Sequence, residues 1–318
     1  MTSCTFLAFT DLHHEPLVFP HDAPAYLDKI LGRAEAEKVS FVIHLGDFLH
    51  TPELNAGLAD TYAAHPLPTY SVFGNHDTDQ ENMDYILRMY RLEKNYYYFD
   101  RDGYRFIVLD PNYCTDEEGN YVHYAPRQQR PHYLGTLPAE QLKWLAETIE
   151  TAPGPCILLS HQSLERTDGI SNRDEVWQII CSANRRRENS VILCINGHYH
   201  CDYCSFFNGV CCLDLNSSSY HWTEAENSLY PEEYYERYPL TRNCLLYEKP
   251  LSAIITINGT ESITVSGADG SFMASPSREV LIELSEKRRL SLERLCVPYI
   301  SDYTVDLQAQ TVERIRKE

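Results

Sequence analysis

The 318-residue chain reads as an α/β layered domain, and three observations lead there. Short β-rich runs alternate with amphipathic helical patterns over roughly the first 200 residues. The first two helical patterns each open with Pro near the first turn, where its missing N–H has no intrahelical partner to lose. Hydrophobic residues make up 43% of the chain, enough for a substantial core.

The elements follow in order. TFLAF (5–9), SFVIHL (40–45) and PTYSVF (68–73) are the first strands, separated by helices at 23–37 and 52–65. NMDYILRMYRL (82–92) is a third amphipathic helix, and 95–110 is a hairpin turning at Asp102-Gly103. Residues 111–136 have no period and are rich in Tyr, Arg and Pro, which predicts a long loop. A helix at 138–150, the strand CILLS (156–160), a helix around 173–185 and the strand SVILCIN (190–196) come next. YCSFF (203–207) and GVCCLDLN (209–216) are two more strands. YPEEYYERYP (230–239) is expected to be a surface loop, 251–267 a hairpin around Asn258-Gly259, and 278–296 a helix.

Composition excludes several classes. No apolar stretch approaches the roughly 18–20 residues a membrane helix needs, so no membrane partner is expected. The start, MTSCTFLAFTDLHH, lacks a basic segment and reads as a first strand, which points to a cytoplasmic protein. A net charge of −19, from 27 basic and 46 acidic residues, disfavours nucleic acid as a partner. The 11 cysteines are scattered through apolar runs and read as reduced core thiols. Cys201 and Cys204 form a single C-x-x-C without the second pair a zinc ribbon requires. The basic run ANRRREN (183–189) reads as a solvated helix end.

In α/β sheets functional groups gather at the carboxyl ends of strands. Here five strand ends deliver oxygen or imidazole donors: Asp11 and His13, then Asp47, then Asn75, His76 and Asp77, then His161, then His198 and His200. Taken singly, the Asp and Asn residues also suit turns and helix caps, and the histidines suit buried hydrogen-bonded positions. Five coincidences of ligand-type residues are beyond that explanation.

The ordered series D-x-H, G-D, G-N-H-D, H and G-H-x-H over residues 11–200 resembles the calcineurin-like metallophosphoesterases. The resemblance implies a four-layer α/β/β/α sandwich of two mixed sheets flanked by helices, built around two divalent metals. With no Gly/Ser linker in sight, that domain is read as 1–245, with 246–318 as a C-terminal hairpin and helix extension packed on it. The extension is left open as a homodimer surface or a cover for one sheet edge. One metal would be held by Asp11, His13, Asp47 and His200, the other by Asp47, Asn75, His161 and His198. Asp47 would bridge, each of its oxygens accepting a cation, and His198 and His200 would point the same way if strand geometry persisted through them. The metals, separated by about 3.5–4 Å, would be Mn2+, Fe2+/Fe3+ or Zn2+, with availability deciding among them.

The chemistry implied is metal-dependent phosphoester hydrolysis. Two divalent cations against two aspartates and a bridging hydroxide leave a charge of about +1, which attracts a small anionic phosphoester despite the acidic surface. The hydroxide would attack phosphorus, and His76 would assist the leaving group. Asp77 is expected either to orient His76 and raise its pKa or to cap the loop. His14, His44 and His50 match no motif and are read as structural.

The D-x-H opening is similar to the bacterial cyclic-nucleotide phosphodiesterase-like branch. Purple acid phosphatases carry a metal-binding tyrosine where this chain has His50, and protein phosphatases carry G-N-H-E where it has Asp77. A small-molecule phosphodiesterase acting on a nucleotide-like substrate is therefore expected. A phosphomonoesterase, a nuclease and a non-catalytic metal-binding scaffold are the alternatives. Substrate recognition is expected from the loop 112–136, with Arg127 and Arg130 on a second phosphate and Tyr121, Tyr124 or Tyr133 stacked on a base. NSSSYHW (216–222) is a second candidate.

Overall fold

The computed structural model describes residues 2–78, 82–116, 118–123, 135–223, 226–287 and 296–315, without the side chains of 285–287. The chain begins β1 (Cys4–Phe9), α1 (Ala23–Ala36), β2 (Val42–His44), α2 (Pro52–Ala63), β3 (Thr69–Ser71) and α3 (Met83–Met89). It continues through β4 (Tyr97–Arg101), β5 (Tyr104–Val108), the short pair β6 (Tyr113–Thr115) and β7 (Tyr121–His123), then α4 (Ala139–Glu150), β8 (Cys156–Leu159), α5 (Arg173–Arg186) and β9 (Val191–Asn196). The remainder is β10 (Tyr203–Phe207), β11 (Val210–Asp214), β12 (Tyr220–Trp222), α6 (Glu232–Arg237), β13 (Cys244–Leu246), β14 (Ala253–Asn258), β15 (Ser262–Ser266), α7 (Arg278–Lys287), β16 (Asp302–Asp306) and β17 (Thr311–Ile315).

Two sheets stack face to face. The first has the order β17-β16-β15-β14-β1-β2-β3 and the second β10-β11-β9-β8-β5-β4. Strand side chains alternate between faces with period two, and the sequence exploits this. Phe6 and Ala8 of β1 meet Phe106 and Val108 of β5 and Ile157 and Leu159 of β8 between the sheets. Leu7 and Phe9 turn outward onto α1, α2 and α3. Ile107, Leu158 and Cys194 turn outward onto α4 and α5. Each buried Leu, Ile or Phe contributes about 1.5–3 kcal/mol relative to exposure. The result is the four-layer α/β/β/α sandwich.

The helices form where their apolar faces demand it. In α1, Tyr26, Leu27, Ile30, Leu31 and Ala34 are buried at helical spacing, and Asp22 caps the start by accepting from the Ala25 N–H at 3.1 Å.

Strands β1, β2 and β3 run parallel, as do β5, β8, β9 and β11. Their carboxyl ends lead into the loops that carry Asp11, Asp47, Asn75, His161, His198 and His200.

Some expectations need correction. The stretch expected as a loop at 230–239 contains α6 and a 3-10 turn at Pro239–Asn243. Pro231 opens the helix, and Tyr235 is buried with its hydroxyl donating to Asn227 at 2.9 Å, so packing orders the run despite its polarity. Strands β12, β13, β16 and β17 are additional to the expected ones, as are β6 and β7, which pair antiparallel within the stretch expected as a loop at 111–136. The predicted C-terminal helix is seen to Lys287, and the rest of it lies outside the described residues. Residues 246–318 supply β14 to β17, and β14 pairs antiparallel with β1 itself. No helix among the described residues is long and apolar enough to cross a membrane.

Candidate metal centre

Two sets of donors face each other at the loop ends. In the first, Asp11 Oδ1 lies 3.2 Å from His200 Nε2 and 3.6 Å from His13 Nε2, and the two ring nitrogens are 3.3 Å apart. In the second, Asp47 Oδ2 lies 3.1 Å from His161 Nε2, which is 3.2 Å from His198 Nδ1. Asp47 Oδ2 also lies 3.9 Å from His13 Nε2, so a single oxygen stands between the sets.

The expected use of both Asp47 oxygens is corrected by this geometry. Asp47 Oδ1 accepts the His76 backbone N–H at 2.8 Å, leaving Oδ2 to face both sets. Asp11 is built alike. Its Oδ2 accepts from Thr10 Oγ1 at 2.6 Å and from the His198 N–H at 3.0 Å, while Oδ1 points inward. Each carboxylate is therefore anchored by one oxygen and free to bind through the other.

The ring nitrogens are fixed by their outer partners. A carbonyl can only accept, so His161 Nδ1 donates to Leu45 O at 2.8 Å and His200 Nδ1 donates to Tyr220 O at 2.7 Å. Both rings then turn Nε2 to the centre. His13 Nδ1 meets His50 Nε2 at 2.7 Å, which turns His13 Nε2 to the centre.

The backbone is bent to make this possible. Asp11 (φ 53°), His13 (φ 50°), Asp47 (φ 49°), His198 (φ 68°) and His200 (φ 50°) all lie in the left-handed region, which costs about 1–2 kcal/mol per non-glycine residue. At His198 and His200 the loop does the splaying. β9 has ended at Asn196, and the two rings reach different donor sets because a left-handed turn splays them. Gly74 and Gly197 let the loops close: a side-chain carbon at Gly74 would collide with Asp47, and one at Gly197 with Thr10 and Asp11.

Electrostatics agree with a cation site. Burial alone would raise both carboxyls, but His200 and His13 hold Asp11, and His161 and His76 hold Asp47, far below the usual carboxylate range. Burial pushes His13 down to about 4 and His198 down to about 3, keeping both rings neutral. Burial opposes the charge on His161 too, yet Asp47 and Asp11 lift it to about 9, so a cation binding there displaces a proton. Buried Asp11 Oδ1 and Asn75 Oδ1 accept no hydrogen bond, an expensive condition for oxygens unless something else is bound. These orphaned oxygens and the paired donor sets fit two divalent cations. Two carboxylates, one neutral amide oxygen and four imidazoles make the mixed N/O set that manganese, iron and zinc accept.

Six of the seven expected ligands fall in the two sets, and Asn75 lines the same cleft of about 470 Å³ as His76. Asp77 contacts the backbone of the neighbouring loops. Its Oδ1 accepts from Phe48 N, Leu49 N and Tyr90 Oη, and its Oδ2 from Gly74 N, at 2.8–3.2 Å. Three loop-scaffold donors on Oδ1 and one on Oδ2 hold this carboxylate, contacts that suit the loop-capping alternative. His50, read as structural, is in the cleft wall, its ring stacked on His76 at 4.3 Å. The signal was its position three residues after Asp47. Arg127, Arg130, Tyr124 and Tyr133 lie outside the described residues. Tyr121 is exposed on β7. In the NSSS stretch, Ser217 and Ser219 donate to Asp11 O at 3.0 and 2.8 Å, holding the first loop in place.

Known proteins share this fold. The family profile described as calcineurin-like phosphoesterase matches residues 4–202. A dimetal phosphatase from Danio rerio is similar in structure, with a TM-score of 0.55 and 14% identity over 86% of this chain and 99% of that one. A purple acid phosphatase from yellow lupin seeds is similar with a TM-score of 0.50 and 13% identity, over 88% of this chain and 55% of that one. Comparison with curated protein sequences gives no match. With the family profile spanning more than half its length, the chain belongs to the calcineurin-like phosphoesterase family and is a metal-dependent phosphoester hydrolase.

Proposed function

We propose that the protein is a dinuclear-metal phosphodiesterase acting on small nucleotide-like molecules, in the manner of the cyclic-nucleotide phosphodiesterase-like branch. Asp11, His13 and His200 would hold one cation, Asn75, His161 and His198 the other, and Asp47 Oδ2 would serve both. When bound, the two cations supply Lewis acidity, lowering the pKa of water toward 7 and neutralising charge that develops on the phosphoryl oxygens.

The observation that favours a diester is the charge of the cleft. Its described lining, from His13 and Asp47 outward to Tyr220, Trp222 and Leu240, contains no Lys or Arg. A centre of about +1 matches the single negative charge of a diester better than the double charge of a monoester. His76 borders the cleft with its backbone tied to Asp47 and its ring against His50, positioned to donate a proton to a departing alkoxide. Nine of the eleven cysteines are buried, which supports a reducing, cytoplasmic setting.

The test uses metal-stripped protein reloaded with manganese and assayed on an aryl phosphodiester and the matching monoester. Faster turnover of the diester is expected. Preference for the monoester would move the assignment to a phosphatase.

A further inference from the structure

Beyond the metal donors, the cleft has a second surface of different character. His13, a proposed ligand, faces the ring of Tyr220 at 4.8 Å, and Tyr220 stacks on Phe19 at 5.0 Å and 23°. Trp222 and Leu240 continue this surface to the mouth. Phe19 and Tyr220 are 2% and 3% exposed, so the inner part is rigid core, whereas Leu240 is 42% exposed and Trp222 is half-buried. The wall is fixed relative to the metals, because the Tyr220 carbonyl is the acceptor that orients His200. Its residues come from three separate segments: the loop after β1, strand β12 and the 3-10 turn after α6.

We propose that this wall is a subsite for one flat aromatic ring, aryl or nucleobase, carried on the substrate's phosphate. The inference rests on the phosphodiester reading above and adds where the organic group sits and what it must be. A phosphate at the metals leaves its ester substituent beside His13 and His76, and the described surface there offers ring faces and aliphatic carbon without a cation. A sugar lacking a base would leave its hydroxyls against apolar carbon, and a second phosphate would find no positive charge on this wall. A ring laid on Trp222 with its edge on Leu240 gains stacking contact without needing a specific hydrogen bond. A cleft of about 470 Å³ suits a phosphate with one such group.

Product analogues that differ only in the carried group test this on the full-length manganese-loaded protein. Calorimetric Kd values are measured for methylphosphonate, benzylphosphonate and cyclohexylmethylphosphonate. Benzylphosphonate is expected to bind about tenfold more tightly than methylphosphonate and several-fold more tightly than the cyclohexyl analogue. In Trp222→Ala, and independently in Leu240→Ser, the benzyl-to-methyl ratio should fall to within about twofold of one. Equal binding of benzyl and methyl analogues, or a tenfold ratio that survives both substitutions, would overturn the subsite while leaving the phosphoester reading intact. A cyclohexyl analogue binding as tightly as the benzyl one would overturn the aromatic class. Failure of every phosphonate to bind with both metals in place would overturn the phosphoester reading itself.

Discussion

Asp47 shows how much a single residue carries. One oxygen is fixed by the His76 N–H and the other stands between two imidazole sets, so substitution disturbs loop position and cation binding together. His76 and His50 separate more cleanly. His76→Ala removes a ring from the cleft without removing a proposed ligand, so metal content should stay at two. Turnover should fall by about 10²–10⁴, more for poor leaving groups than for good ones. An equal loss for both, read from kcat across a series of aryl and alkyl esters, would refute a proton-donating role. His50 Nε2 lies 2.7 Å from His13 Nδ1, and with a cation on His13 Nε2 the proton sits on Nδ1 and His50 accepts it. Losing such an outer partner weakens metal affinity about 10- to 100-fold. His50→Ala should show that loss in a chelator competition, and His50→Gln, which retains an acceptor, should recover much of it.

At the scale of elements, the G-H-x-H loop is clamped from an unexpected direction. Asp202, two residues beyond His200 and 1% exposed, accepts from Ser301 N and Oγ, Tyr303 Oη and Arg314 Nη2, all from β16, β17 and their approach. The C-terminal strands therefore brace the loop that carries two proposed ligands. Arg314→Leu leaves a buried carboxylate short of its charged partner and should lower unfolding stability by about 1–3 kcal/mol. Thermal unfolding with and without manganese checks this, and an unchanged midpoint would contradict the brace. None of this was legible in the sequence. The donors were, because Asp, Asn and His recur where apolar runs stop, and a strand end is visible as such. β16 and β17 were not, because an edge hairpin exposes alternate residues and TVDLQAQTVERI carries charge on its open face. The contact of His50 with His13 was not legible either: the two are 37 residues apart, and only the packed loops bring them together.

Considered as a whole molecule, the sandwich buries histidines it must keep neutral. His44 is fully buried among Phe48, Tyr62 and Tyr90, with Nε2 lacking a partner, and burial first and His161 second push its pKa down to about 3. The unfolded chain takes up a proton near pH 6.5 that the folded chain refuses. Stability from this group is therefore complete above about pH 6.5 and falls with pH toward 3, by up to about 1.4 kcal/mol per unit. Urea unfolding of the metal-free protein at pH 7, 6 and 5 should show this decline, and His44→Phe should flatten it. A slope identical in both proteins would refute the assignment.

Two cations sharing Asp47 are the central prediction, and anomalous diffraction from crystals of the manganese-loaded protein tests it directly. Two peaks about 3.5–4 Å apart are predicted, one beside Asp11, His13 and His200 and the other beside Asn75, His161 and His198, with Asp47 Oδ2 between them. A single peak, or two peaks without Asp47 between them, would contradict it.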